Sequence, residues 1–286
     1  MSSPPPPRRP SPEPADPPAE EADGLPRWDH LTTGEMADFA ALDPVVVLPL
    51  AAVEQHGPHL PLATDHLIGM GLLARAFRAL PSDFPARILP PQAVGTSLEH
   101  GRFPGTLSLG APEVAEILVR YGSAVAAAGI RRLVVSNSHG GNREVLHSAA
   151  LRLREEHGLL VVKCTYFRFP RPEGVELPEE EWRHGFHGGA VETAMMLHLH
   201  PELVRRDLRP DASSLGAELD GRLRRLGPEG EASFAWLAGD LHPGGTVGNA
   251  RLADAGTGRR LVDGYGTALA EVIRDARDFP LERLDP

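Results

Sequence analysis

The chain has 286 residues, 41% of them apolar, which is enough for one substantial hydrophobic core. Its 39 acidic against 29 basic side chains give a formal net charge of -10, which disfavours a nucleic-acid partner. No apolar run is long enough for a membrane span, and a single cysteine, Cys164, excludes an internal disulfide.

Residues 1–24, MSSPPPPRRPSPEPADPPAEEADG, are proline-rich and charged. Their few apolar side chains cannot offset the entropy of ordering them. A disordered tail is expected there, ahead of a single folded domain over residues 25–286. No segment reads as a signal peptide, and a cytoplasmic location is expected. Thr32 or Thr33 can cap a short helix beginning near Glu35. VVVLPL, residues 45–50, is continuously apolar and β-branched, as a strand covered on both faces should be. The polar, turn-rich segment 51–66 follows. Leu67, Ile68, Leu72 and Phe77 are spaced for a helix from Asp65 to Leu80, and Ala86–Pro90 reads as a second strand. Residues 92–109 form a glycine- and proline-rich loop. A helix starts at Pro112 and runs to Gly129. A third strand spans 131–138, a helix runs to a stop at Gly158, and a fourth strand, LLVVKCTYF, spans 159–167 with Cys164 as a buried structural thiol.

This alternation predicts a three-layer α/β/α sandwich with a mostly parallel sheet. Residues 170–186 read as a loop and AVETAMMLHLHPELV as a helix. Residues 209–233 are weakly patterned, and a glycine-rich loop then leads into a last helix ending near residue 274. Ligands in such folds bind beyond the carboxyl ends of the strands, where two polar clusters fall.

The first cluster is Glu54-Gln55-His56-Gly57-Pro58-His59, with Asp65 and His66 beyond it. Carboxylate oxygen and imidazole nitrogen are ligands that zinc, manganese and iron accept. Two residues apart on extended backbone, Glu54 and His56 point to the same side, and an aspartate can bridge two metals. The same residues also describe a polar surface loop, with Thr64 capping the next helix and Asp65 in its first turn. The second cluster, Ser136-Asn137-Ser138-His139-Gly140-Gly141-Asn142, ends a strand and opens a helix. His139 would be a ligand and Asn142 an orienting group or cap, or the run is simply a turn whose histidine bonds to the backbone. The third cluster holds His187, a candidate proton shuttle, and Glu192, a ligand or base at the start of an apolar helix. Burying that carboxylate is costly unless it is paired. Zincin helices, the phosphate-loop ending and the Gly-x-Ser-x-Gly elbow are all absent.

VVVLPLAAVEQHGPHLPLATD, GTSLEHGRFPGTLSL, SNSHGGN and HGGAVET together resemble the creatininase family of metal-dependent amidohydrolases. The resemblance implies two divalent cations per chain, zinc or manganese and in some members iron. It implies ligation by Glu54, His56, His139 and Glu192, with Asp65 bridging, and proton transfer by His187 with Glu192 assisting. Glu99, His100 and Asn142 are candidate substrate contacts. Creatininase itself has an acidic ligand where this chain has Gly141, which points to a substrate other than creatinine. The expected activity is hydrolysis of a small-molecule amide, lactam or formamide C–N bond other than a peptide bond. The alternatives are a peptidase trimming a small ribosomally made precursor peptide of the mycofactocin type, and a non-catalytic metal-binding homo-oligomer. Family members assemble into closed homo-oligomers, commonly hexamers, so a homo-oligomer is expected.

Overall fold

The computed structural model describes residues 24–284; the expected tail, apart from Gly24, lies outside the described residues. Thr32 caps the first helix, α1 (Thr33–Ala40), in a reciprocal capping box with Glu35. Four parallel strands, β1 (Val45–Leu50), β2 (Ala86–Ile88), β3 (Arg132–Asn137) and β4 (Leu160–Thr165), form a sheet in the order β2-β1-β3-β4. The crossovers run through α2 (Thr64–Ala79), α3 (Ala111–Ala127) and α4 (Arg143–His157). Gly158, with φ of +65°, ends α4 in the left-handed conformation that glycine adopts without a Cβ penalty.

The sheet is buried on both sides, which explains why its strands read as unbroken apolar runs. Successive side chains alternate faces. Val45 and Val47 of β1 join the core under α2, while Val46, Leu48 and Leu50 join the core under α3 and α4. Val134 of β3 divides from Leu133 and Val135 in the same way. The result is the expected three-layer α/β/α sandwich. Cys164 is buried in β4, and burial pushes its thiol up to about 12.

The chain beyond β4 departs from expectation in detail. The predicted loop at 170–186 contains α5 (Glu179–His184), which starts on a triplet of glutamates that favour a helix N-terminus. The next helix, α6 (Ala190–Leu199), is shorter than the pattern suggested, because His200 precedes Pro201 and leaves helical geometry. The weakly patterned stretch holds short pieces only: β5 (Asp211–Ala212), α7 (Leu215–Leu219), β6 (Leu226–Gly227) and β7 (Ala232–Ser233). The glycine-rich loop holds α8 (Ala238–Leu241) and β8 (Gly248–Asn249), and β8 pairs antiparallel with β5. The last helix, α9 (Ala255–Asp278), packs on α2 and α6 and closes that side of the sheet. Among the described residues no helix is long and apolar enough to cross a membrane.

Candidate metal centre

Four segments converge beyond the carboxyl edge of the sheet. The chain leaving β1 brings Glu54 and His56, the first turn of α2 brings Asp65, the chain leaving β3 brings His139, and the first turn of α6 brings Glu192. All five side chains are buried, Glu54 and His56 completely. Thr64 does not cap α2: the helix begins at Thr64 itself, and its hydroxyl donates to the Pro61 carbonyl.

Two backbone carbonyls assign the histidine tautomers. His139 Nε2 donates to the Thr96 carbonyl at 2.8 Å, which leaves Nδ1 as an acceptor. That Nδ1 lies 3.3 Å from Glu54 Oε1 and 3.4 Å from Asp65 Oδ2. His56 Nδ1 donates to the Glu54 carbonyl at 3.1 Å, so its Nε2 faces Asp65 Oδ1 at 3.6 Å and Glu192 Oε2 at 3.8 Å. Lone pairs therefore face carboxylates on both sides of Asp65, an arrangement that repels unless a cation lies between them.

The same demand for positive charge appears in the proton equilibria. Burial disfavours imidazolium at His56 and His139, yet the surrounding carboxylates outweigh it and raise both to about 10. Burial pushes Glu192 up to about 7 and also raises Asp65, which sits beside Glu54. Burial opposes ionisation of Glu54 as well, but the histidines facing it hold it well below the usual carboxylate range.

A cation fits this chemistry. Glu54 Oε1 and Oε2, His56 Nε2 and Asp65 Oδ2 are buried without a hydrogen-bond partner, and all belong to one cluster. Ligand atoms of Glu54, Asp65 and His139 lie within 4.8 Å of one another, as do those of His56, Asp65 and Glu192. Asp65 is common to both sets. A third set, Glu54, His56 and His187, meets the same spacing.

His187 completes the inner wall. Its Nε2 lies 2.8 Å from the Gln55 carbonyl and 3.0 Å from the Gln55 side-chain nitrogen, and its Nδ1 lies 3.7 Å from Glu54 Oε1. Burial, reinforced by His56 and His100, lowers its pKa well below the ordinary value and keeps it neutral. His100 stacks on His187 with ring centroids 4.2 Å apart and points Nε2 at Glu54 Oε1 from 3.5 Å.

The loop residues divide. Glu99 Oε1 lies 3.5 Å from His139 Nε2, on the side away from Glu54, and its side chain is partly open to solvent. Asn142 is fully buried and supports the loops around the centre. Its side-chain oxygen accepts from Thr96 N–H, and its NH2 donates to the Ala51 carbonyl and to Asn137 Oδ1. These bonds engage its amide, and its side chain does not cap α4. Gly141 has a steric reason. A Cβ there would lie 2.5 Å from the Thr96 carbonyl oxygen and 2.6 Å from both Glu99 Oε1 and His139 Nε2. The loop that fixes the His139 tautomer fills the space a side chain would need.

Sequence reasoning missed Gln55 as a connector. Its side-chain nitrogen lies 2.6 Å from the Gly245 carbonyl and 2.9 Å from His100 Nδ1. It also left His59 unassigned. That ring is fully buried, with Nε2 2.9 Å from Thr193 Oγ1.

A family profile for creatininase, described as creatinine amidohydrolase, matches residues 29–273. A mycofactocin precursor peptide peptidase from Mycobacterium ulcerans is 34% identical over 83% of this chain and 87% of its own length. A creatinine amidohydrolase from Pseudomonas putida is 30% identical over 60% of this chain and 70% of its own. Among solved structures, a manganese creatininase superposes with a TM-score of 0.71 at 25% identity, covering 92% of this chain and all of that one (100%). The chain belongs to the creatininase family, and the buried cluster and fold together make it a metal-dependent hydrolase of that family. The expectation of a hydrolase confined to bonds other than peptide bonds is overturned, since relatives 33% to 35% identical to this chain are peptide peptidases.

Proposed function

We propose that this creatininase-family chain is a peptidase that trims a small precursor peptide at a two-cation centre. One cation would be held by Glu54, Asp65 and His139 and the other by His56, Asp65 and Glu192. The observation that carries the peptide reading is the likeness to the mycobacterial peptide peptidase, which is higher and covers more of the chain than the likeness to the creatinine amidohydrolase. Gly141, at the position where creatininase carries an acidic ligand, supports a substrate other than creatinine.

Oxygen and imidazole donors suit manganese and zinc. Divalent cations bound there would lower the pKa of water and polarise the scissile carbonyl. The remaining work falls to this chain's own groups. Asp65 offers one oxygen to each set of ligands. Thr96 and Glu54 hold the two histidine rings through their carbonyls, so the lone pairs cannot turn away. An amide nitrogen leaves only once protonated, and His187 Nδ1 is the group that meets this need. Neutral at rest, it takes a proton from the attacking water and returns it to the leaving nitrogen.

The test is a panel of peptides varied over their last few residues, together with creatinine and a formamide, read by mass spectrometry. The expected outcome is a shortened peptide whose formation stops on chelation and in an Asp65→Asn variant. Turnover of creatinine or the formamide with every peptide intact would contradict the proposal.

A further inference from the structure

One buried carboxylate lies outside all three ligand sets. Glu181, on α5, is 6% exposed, while its neighbours Glu179 and Glu180 are exposed. No basic side chain pairs with it among the described residues. Burying an unpaired carboxylate is costly unless hydrogen bonds satisfy it. Its partners are two backbone N–H groups, one nearby in sequence and one remote: Oε1 accepts from Ala190 at 2.6 Å and Oε2 from Asn249 at 2.8 Å. The first belongs to the opening turn of α6, where backbone donors and the helix dipole favour a negative charge.

The surroundings are shaped around this group. A Cβ placed on Gly185, Gly189 or Gly248 would lie 2.2, 2.5 or 2.6 Å from Glu181 Oε1. Glycines from two separate segments thus leave room for one carboxylate.

Both anchored segments lead to the centre. Asn249 is two residues beyond Val247, whose N–H donates to the His187 carbonyl at 2.9 Å. Ala190 is two residues before Glu192, whose Oε2 accepts from Gly188 N–H at 2.6 Å. We propose that Glu181 is a positioning residue: its carboxylate bolts the start of α6 to the Gly248–Asn249 turn. It thereby fixes His187 against Glu192 and holds Glu192 in register with His56 and Asp65. This rests on the two-cation reading above. Glu181 touches none of the ligand sets itself; it acts through the start of α6, so the binding step expected to respond is the one whose ligands include Glu192.

The experiment titrates manganese, and separately zinc, into metal-free full-length protein against a competing chelator. Glu181→Ala should weaken one of the two binding steps by about 10–100-fold, the range for groups that orient ligands, and leave the other unchanged. Glu181→Gln keeps one acceptor oxygen and should recover part of the loss, and Glu180→Ala should match wild type. Should Glu181→Ala fail to fold, Gly185→Ala serves instead. Its φ of -93° lies outside the left-handed region, and the three atoms nearest the new Cβ all belong to Glu181, two of the carboxylate and its backbone oxygen. Two unchanged steps in a folded variant would overturn the proposal. So would equal weakening of both steps with a lowered Tm and no recovery by glutamine, the mark of a merely structural role. A wild type that binds neither cation would instead bring down the two-cation reading on which the proposal stands.

Discussion

His56 and His139 are each locked by a backbone carbonyl with a lone pair turned toward carboxylates. Both are held up to about 10 when protons are the available cations, so a metal must displace those protons. The loaded state binds fewer protons than the empty one, and cation affinity therefore rises with pH. Between about pH 6 and 8 the expected gain is about tenfold per unit for each proton displaced. Calorimetry in buffers of different ionisation enthalpy would read the proton release directly, and an affinity flat across that range would refute the assignment. The candidate ligands stood out in the sequence because their chemistry is rare in such density at strand exits. Their supports did not. The Thr96 carbonyl has no sequence signature, Gln55 meets His100 across 45 residues, and Glu181 meets Asn249 across 68.

The central elements were legible because local and tertiary demands agree. β1 reads as a strand from its valines, and the two cores on either face of the sheet account for its unbroken apolarity. α1 could be placed by its cap, and that cap makes a prediction confined to the element. Thr32→Ala removes the side-chain acceptor for Glu35 N–H and one half of the box. Thermal or urea unfolding should show a loss of about 0.5–2 kcal/mol with cation uptake unaltered. A loss of cation binding in that variant would mean that α1 communicates with the centre, contrary to its place over the opposite core. α5 escaped notice because six residues are too few to display a helical period, and one partner of its key side chain, Asn249 N–H, is remote in sequence.

For the whole molecule, the sheet acts as a platform that brings chain ends to one edge. Two strand exits and two helix starts meet there, and no single segment supplies more than two of the five principal ligand candidates. Folding thus assembles a cluster of buried carboxylates whose mutual repulsion requires positive charge, and cation binding should in turn stabilise the fold, by about 2.7 kcal/mol at a free concentration ~100 times Kd. The central claim is that this edge holds a pair of divalent cations. Titrating metal-free protein with manganese while counting bound equivalents tests it most directly. Two equivalents per chain, with Tm rising as they fill and one lost in a Glu192→Ala variant, is the predicted result. A chain that takes up no manganese or zinc, and whose Tm does not respond to either, would contradict it.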